Sequence, residues 1–408
     1  MSVKILFAHE KIKSLDGAIA HLNDCGVWPF FDERSILFIQ NFSSMLLKYP
    51  GINKYPDLVA LAYWFRRSNL HKLKQSYHIS NDFIRLGRGI SLHIAPSNVD
   101  TIFVYSFFLS LLAGNSSFIR VSQNESPELN IIIKIFQDIY NSDESETAGR
   151  FVICTYPHEN EATQLLSNNC ELRLIWGGDE TVQTITNIPL KPTALELKFP
   201  NRSSFSAIKL EAIEVMNDED LAKLCARFYS DIQLFGQQAC SSPLALYFVG
   251  PSSKKHHAER FWALFNKAAK SHNISSSEVM NRFVSAANLA ITSQIKKSRS
   301  SFDSSNVVIL DGQFSSKSSF REEHAGNGLL VQYYIDELFN LTECIETKDQ
   351  TLSIFGFNHE EVESFLYSLT NRGIDRVVPI GQALDFGHIW DGVDLLDVMS
   401  RKIDISKI

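Results

Sequence analysis

The sequence predicts an α/β protein, with a parallel sheet covered by helices on both faces ahead of a second α/β region. Three observations carry this expectation. Four strand-then-helix units follow one another between residues 90 and 186, and helical crossovers between strands build a parallel sheet. The alternation resumes, less cleanly, after Pro200. A chain of 408 residues that is 44% hydrophobic can bury two cores.

Taken in order, residues 1–85 read as largely helical. Residues 57–77 are rich in Leu, Ala, Arg and Lys with apolar positions three and four apart, and Pro56 suits a helix start. Residues 90–94 read as a buried strand, followed by the breaker-rich Ala95-Pro-Ser-Asn98 and a helix over 99–112 that stops at Gly114-Asn115. A strand over 117–121 leads through Ser126-Pro127 into a helix reaching Tyr140. A strand over 150–155 precedes a helix over 158–166, and a strand over 172–176 runs through Gly177-Gly178-Asp179 into a helix ending near Thr186. Beyond Pro200, helices are expected over 218–229, 258–271, 276–288 and 359–371, and strands over 244–249, 307–310, 354–357 and 376–379. Residues 233–243 read as irregular and the Ser-rich 298–305 as an exposed loop. The expected division is 1–225 for the helical region and first sheet, 226–372 for the second domain, and 373–408 for a C-terminal segment packing back on the first or on an oligomer interface.

Bulk properties narrow the class. A net charge of -7 speaks against a nucleic-acid partner, which a basic face would announce. Lys254-Lys255 and Lys296-Lys297 sit in Ser-rich stretches and read as solvated loops. The longest apolar run, 102–114, is too short to span a bilayer, and the N-terminus shows no apolar leader core. Six cysteines are scattered with no C-x-x-C spacing, so neither a zinc site nor a disulfide framework is indicated, and a reducing cytoplasm is the expected setting.

Ligands of parallel sheets bind at the carboxyl ends of the strands. Pro96-Ser97-Asn98, the stretch from Arg120 through Ser122 to Gln123, and the stretch from Gly177 and Gly178 through Asp179 to Thr181 lie at such ends. Asn98 could aim an amide N–H at a developing oxyanion, or equally stabilise its own turn. Arg120 could hold a dinucleotide ribose or its 2′-phosphate, or be a plain edge cation. Gly177-Gly178 could receive a pyrophosphate on free helix N–H groups, although Asp179 is equally an N-cap whose charge opposes one. His93 on its apolar strand reads as a core residue, and His388 lies in a turn-rich aromatic segment. The strongest local signal is Gly236-Gln-Gln-Ala-Cys240-Ser-Ser-Pro243, a Cys flanked by small and polar residues ahead of a strand. Taken alone, any one Cys is more often structural.

In sequence order these pieces resemble the aldehyde dehydrogenase superfamily, and more closely the acyl-CoA reductase family that includes the fatty-acid reductase of bacterial bioluminescence. The matching stretches are His93-Ile-Ala-Pro-Ser-Asn98, Leu112-Ala-Gly-Asn115, Trp176-Gly-Gly-Asp-Glu-Thr181, Gln237-Gln-Ala-Cys-Ser-Ser-Pro243, Arg376-Val-Val-Pro-Ile-Gly-Gln382, Trp390-Asp-Gly392 and Leu396-Asp-Val-Met-Ser-Arg401. The resemblance implies an aldehyde dehydrogenase-like fold, with a Rossmann-type cofactor domain and an α/β catalytic domain. It implies Cys240 as nucleophile, and Asn98 with the Cys240 backbone N–H as the oxyanion hole. Arg120 falls where the superfamily usually has a ribose-binding Lys. Gln123 falls where NAD-preferring members often carry a Glu, which favours NADPH over NADH because a neutral Gln does not repel a 2′-phosphate. The general-base Glu of hydrolytic members has no clear counterpart at Lys198-Phe-Pro-Asn201, although Glu196 is close. That absence fits a reductase whose acyl-enzyme must not meet activated water. The Glu-x-Phe-Gly-Pro stretch is also missing. The implied activity is NADPH-dependent reduction of a fatty-acyl thioester to the aldehyde, with acyl-CoA or an acyl-protein synthetase as donor, in a homo-oligomer. Two alternatives stay open: a small acyl-phosphate reductase resembling glutamyl-phosphate reductase, and a non-redox acyl-transfer module.

Overall fold

The computed structural model describes residues 3–77, 83–96, 99, 101–142, 145–157, 160–269, 275–292, 295–298, 307–314 and 320–405. The chain divides into two compact units, Met1–Asn201 with Phe386–Ile408, and Arg202–Asp385. The division expected at 225 therefore falls earlier. Helix Asp218–Gln233 belongs with the second unit, where it packs on helix His256–Ala268. The C-terminal segment also splits, with only the residues from Phe386 onward joining the first unit.

The first unit is built on strands β1 (Lys4–Phe7), β3 (Ile90–Ile94), β4 (Ser116–Arg120), β5 (Phe151–Thr155), β6 (Leu172–Trp176) and β7 (Leu195–Phe199), with β2 (Phe83–Gly87) outside that sheet. Their order is β1-β5-β4-β3-β6-β7, with β1 antiparallel to β5 and all other neighbours parallel. β3 to β6 are buried along their whole length, as strands covered on both faces must be. Helix Thr101–Leu112 is buried except at Ile102 and is a core helix. Its phenylalanines join Phe38, Phe42, Phe65, Phe136 and Phe151 in one aromatic cluster. Among the described residues, no helix is long and apolar enough to cross a membrane.

Polar groups inside this core satisfy one another. Ser91 Oγ lies 2.8 Å from Ser110 Oγ and 2.9 Å from Ser117 Oγ, and His93 bonds Ser91 and Ser106 through its two ring nitrogens. Burial pushes the His93 pKa down to about 3, so it is a neutral core residue, as its apolar strand suggests. Asn115 is likewise architectural. Its Oδ1 accepts from Arg88 N and Gly89 N, and its Nδ2 donates to Met399 O, tying the β2–β3 turn to the C-terminal strand Ser400–Asp404, which pairs with β2. At Gly87, an added Cβ would come within 2.3 Å of Gly114 O.

The second unit carries β8 (Ser203–Lys209), β9 (Pro243–Val249), β10 (Ile295–Ser298), β11 (Val308–Gly312), β12 (Leu329–Ile335), β13 (Asp349–Phe355) and β14 (Arg376–Pro379). The order is β10-β11-β12-β9-β8-β13-β14, parallel throughout except for β10 against β11.

Several expectations need correction. The helix over 57–77 is two helices, Pro56–Trp64 and Arg67–Ser76, because Arg66 is extended. Lys296 and Lys297 lie on β10, not in a loop. The sequence patterning gives no sign of β1, β2, β7, β8, β10, β12 or the strand Ser400–Asp404. β12 is an interior strand, buried along nearly all its length and mostly apolar apart from Gln332, and such strands lack the alternation that marks a half-exposed strand.

Candidate active site

Cys240 sits on a turn between helix Asp218–Gln233 and β9, with Ser242 N donating to Ala239 O at 2.9 Å. The turn is entered through three consecutive left-handed residues, Phe235, Gly236 and Gln237 (φ 58°, 57° and 62°). Two of them carry side chains, so this backbone is strained and needs outside support. Gln237 supplies much of it. Its buried Nε2 donates to Pro243 O and Leu329 O, both at 2.8 Å, and its Oε1 accepts from Gly328 N at 2.9 Å. Gln238 Nε2 reaches Ala325 O, and Asn327 N reaches Gly236 O. The two glutamines beside the cysteine are thus braces between this turn and the loop before β12. Gly326 (φ +68°) passes so close that a Cβ would stand 2.7 Å from Gln238 Nε2 and 2.8 Å from Gln237 O.

The cysteines are all free. Cys154, Cys170, Cys225 and Cys344 are buried, and burial raises all four thiols, to between about 11 and about 12. Only Cys25 and Cys240 are half-exposed. Burial and the nearby Asp24 and Glu146 charges raise the Cys25 pKa, against a lowering pull from Arg150. Cys240 has a specific donor instead: Gln350 Nε2 lies 3.4 Å from its Sγ. Its carbonyl accepts from Ser204 Oγ at 2.7 Å, and that same oxygen accepts from Thr351 N at 3.1 Å. The first residues of β8 and β13 therefore hold both the sulfur and the carbonyl of Cys240. Cys240, Ser204 and Gln350 all lie at the amino edge of the second sheet. The carboxyl-edge rule, applied to the sequence, points away from this edge.

The carboxyl edge matters in the first unit. A cavity of about 230 Å³ opens there, lined by Ile94, Arg120, Tyr156, Pro157, Thr163, Glu180, Thr181, Thr184, Ile185 and Ile188. Arg120 is 7% exposed and donates to Tyr156 O at 3.3 Å. Burial lowers its pKa, partly offset by Tyr156 and Cys154. A buried cation, hydroxyls from Thr163 and Thr181 and walls of isoleucine suit the ribose and base of a nucleotide. The volume is below the roughly 300–1,000 Å³ of pockets for whole drug-sized ligands, so it suits part of a dinucleotide. Glu180 stands exposed at the rim.

The expected cofactor residues divide accordingly. Arg120 and Thr181 line the cavity; Pro96, Ser122, Gln123, Gly177, Gly178 and Asp179 do not. Gly178 caps helix Asp179–Thr186, and Asp179 Oδ1 accepts from Asn201 N. Ser97 and Asn98 lie outside the described residues. Glu196 is occupied by an ion pair with buried Arg173, 2.7 Å from Nε, and is not placed as a free general base. His388 packs edge-on against Tyr77 in the first unit. The sequence reading missed Tyr156 and Thr163 at the cavity, and Ser204 and Gln350 at the cysteine. Position at a strand end is the signal that could have marked Tyr156, Ser204 and Gln350, whereas Thr163 lies within a helix and carries no such mark.

Comparison with known proteins matches this arrangement to a family. The family model described as acyl-CoA reductase (LuxC) matches residues 68–402. A long-chain acyl-protein thioester reductase of Aliivibrio fischeri is 26% identical over 186 residues, covering 43% of this chain and 36% of that protein. The enzyme of the same name from Vibrio harveyi is 21% identical over 337 residues, covering 75% of this chain and 63% of that protein. The matches thus span one-third to under two-thirds of these relatives' own length. Among solved structures, the aldehyde dehydrogenase KauB from Pseudomonas aeruginosa superposes with a TM-score of 0.69 at 13% identity, over 96% of this chain and 88% of that one. An indole-3-acetaldehyde dehydrogenase solved with NAD+ gives 0.69 at 12% identity over the same shares. The fold is that of the aldehyde dehydrogenases, and the chain belongs to the acyl-CoA reductase (LuxC) family.

Proposed function

We propose that this protein reduces a long-chain acyl thioester to the aldehyde through an S-acyl enzyme on Cys240, with NADPH as reductant. The observation that carries this reading is the placement of Cys240 within a family match over residues 68–402, on a braced turn with a side-chain donor at its Sγ. The names of the relatives point to an acyl group carried on a protein, with acyl-CoA as the simpler donor of the same chemistry.

Cys240 Sγ attacks the thioester carbonyl carbon. A C–S bond forms, the bond to the donor sulfur breaks, and the departing thiolate takes up a proton. When bound, the reduced nicotinamide supplies the hydride. Reduction of the acyl carbon leaves a thiohemiacetal on Cys240. Its C–S bond then breaks, the aldehyde leaves, and Sγ is restored. N–H donors aimed at the developing oxyanion lower the barrier to both additions, and the role expected of Asn98 rests on sequence resemblance alone. The engagement of Glu196 with Arg173 supports a reductase, because it keeps that carboxylate from activating water against the acyl-enzyme. The buried Arg120 in the cavity, with neutral Gln123 just beyond the same strand, favours a cofactor bearing a 2′-phosphate.

The test is to mix the protein with an acyl-CoA series and NADPH and follow loss of the reduced cofactor's absorbance. Cys240→Ser should abolish acylation, read as mass added to the intact chain. Acylation retained in that variant would refute the nucleophile, and absence of cofactor oxidation with every thioester would refute the reductase.

A further inference from the structure

We propose that Gln350 is a catalytic partner of Cys240, whose carboxamide N–H donates to Sγ and holds it in the anionic form that attacks. This rests on Cys240 being the nucleophile. The contact is direct, with Nε2 3.4 Å from Sγ, and Gln350 is only 4% exposed. A buried amide keeps its partners, because leaving a donor unsatisfied is costly. The donor also strengthens when its acceptor gains charge, so the same bond favours thiolate over thiol.

The orientation of the amide is fixed by its other end. Thr351 Oγ1 donates to Gln350 Oε1 at 3.4 Å, which turns the NH2 group to the sulfur. The strand start that carries Gln350 is anchored on both sides. Asp349 is fully buried and takes two hydrogen bonds from Arg321, while Thr351 N meets Ser204 Oγ, which in turn holds the Cys240 carbonyl. Sγ and the backbone of residue 240 are therefore positioned from one dipeptide, which a packing role alone does not require.

Several charged groups on the framing elements have partners of their own. Asp349 pairs with Arg321, and Arg202 with Asp375. Glu278, near Gly236, accepts from Ser275, and burial holds the His324 imidazole down to about 4. The Gln350 amide is a neutral donor placed directly at the Cys240 sulfur.

The experiment measures alkylation of Cys240 by iodoacetamide against pH in the full chain, read on the Cys240 peptide by mass spectrometry. Gln350→Met keeps length and volume but removes the donor. Its alkylation midpoint should rise by about one pH unit, making the reaction at pH 7 roughly tenfold slower while the high-pH plateau stays in place. Gln350→Glu puts a carboxylate beside the sulfur and should raise the midpoint further. A Gln350→Met midpoint equal to the parent's overturns the proposal. If that variant fails to give a cooperative melt, Gln350→Glu decides by the same criterion. Acylation by acyl-CoA is measured separately. An alkylatable Cys240 that acyl-CoA never acylates sinks the reductase reading and leaves the Gln350 result intact, whereas a Cys240 inert to iodoacetamide at every pH overturns both.

Discussion

Replacing Asp349 by alanine removes a fully buried carboxylate that accepts from Ser203 Oγ (2.8 Å), Arg321 Nε (2.8 Å), Arg321 Nη2 (2.6 Å) and Glu346 N (2.8 Å). The guanidinium left behind has only 4% of its side chain exposed. Breaking a buried ion pair from one side costs about 3–5 kcal/mol, because the remaining charge is neither solvated nor paired. Arg321 keeps two contacts, Glu346 at 3.0 Å and Cys344 O at 2.9 Å, which places the loss near the lower figure, about 3 kcal/mol. Removing both charges, as Asp349→Ala with Arg321→Leu, should cost less than the sum of the two single changes, by about 1 kcal/mol or more. Urea unfolding followed by both fluorescence and circular dichroism measures these losses. A single Asp349→Ala change costing under about 1 kcal/mol, or strict additivity in the double variant, would show that the pair is not what anchors β13. Because Asp349 precedes Gln350, the single variant should also slow alkylation of Cys240 at fixed pH.

Two further outcomes follow from the first unit. Arg120→Leu should weaken NADPH binding by roughly tenfold or more, the worth of a charge-assisted contact, and NADH binding by less; cofactor fluorescence titration decides, and an equal loss for both removes Arg120 from 2′-phosphate recognition. His93 has a folded pKa near 3, below its unfolded value of about 6.5, so as pH falls below about 6.5 the unfolded chain takes up a proton that the folded chain refuses. Stability falls there at up to about 1.4 kcal/mol per pH unit, and His93→Gln should lessen the drop between pH 7 and 5 by about 2 kcal/mol. Equal drops in parent and variant, measured by urea unfolding at the two pH values, would disprove the linkage.

What could be read from the chain itself was local. The short, mostly apolar runs at 90–94, 117–121, 150–155 and 172–176, each followed by turn-forming residues and a helical stretch, declare β3 to β6 as strands covered on both faces. The turn-forming residues around Cys240 mark it as accessible, and Arg120 at a strand end marks the side on which the cavity opens. The tertiary structure alone brings Gln350 to Cys240 across 110 residues, and Asp349 to Arg321. The reason is strand order. β8 lies between β9 and β13 in the sheet, yet β10 to β12 separate β13 from β9 in the chain, so parallel crossovers decide which residues share an edge. Sequence spacing cannot reveal such partners. The same holds for Gln237, which sits in the most recognisable motif of the chain yet serves as a brace, since its role is set by Leu329 and Gly328, about 90 residues away in a strand and turn that periodicity did not announce.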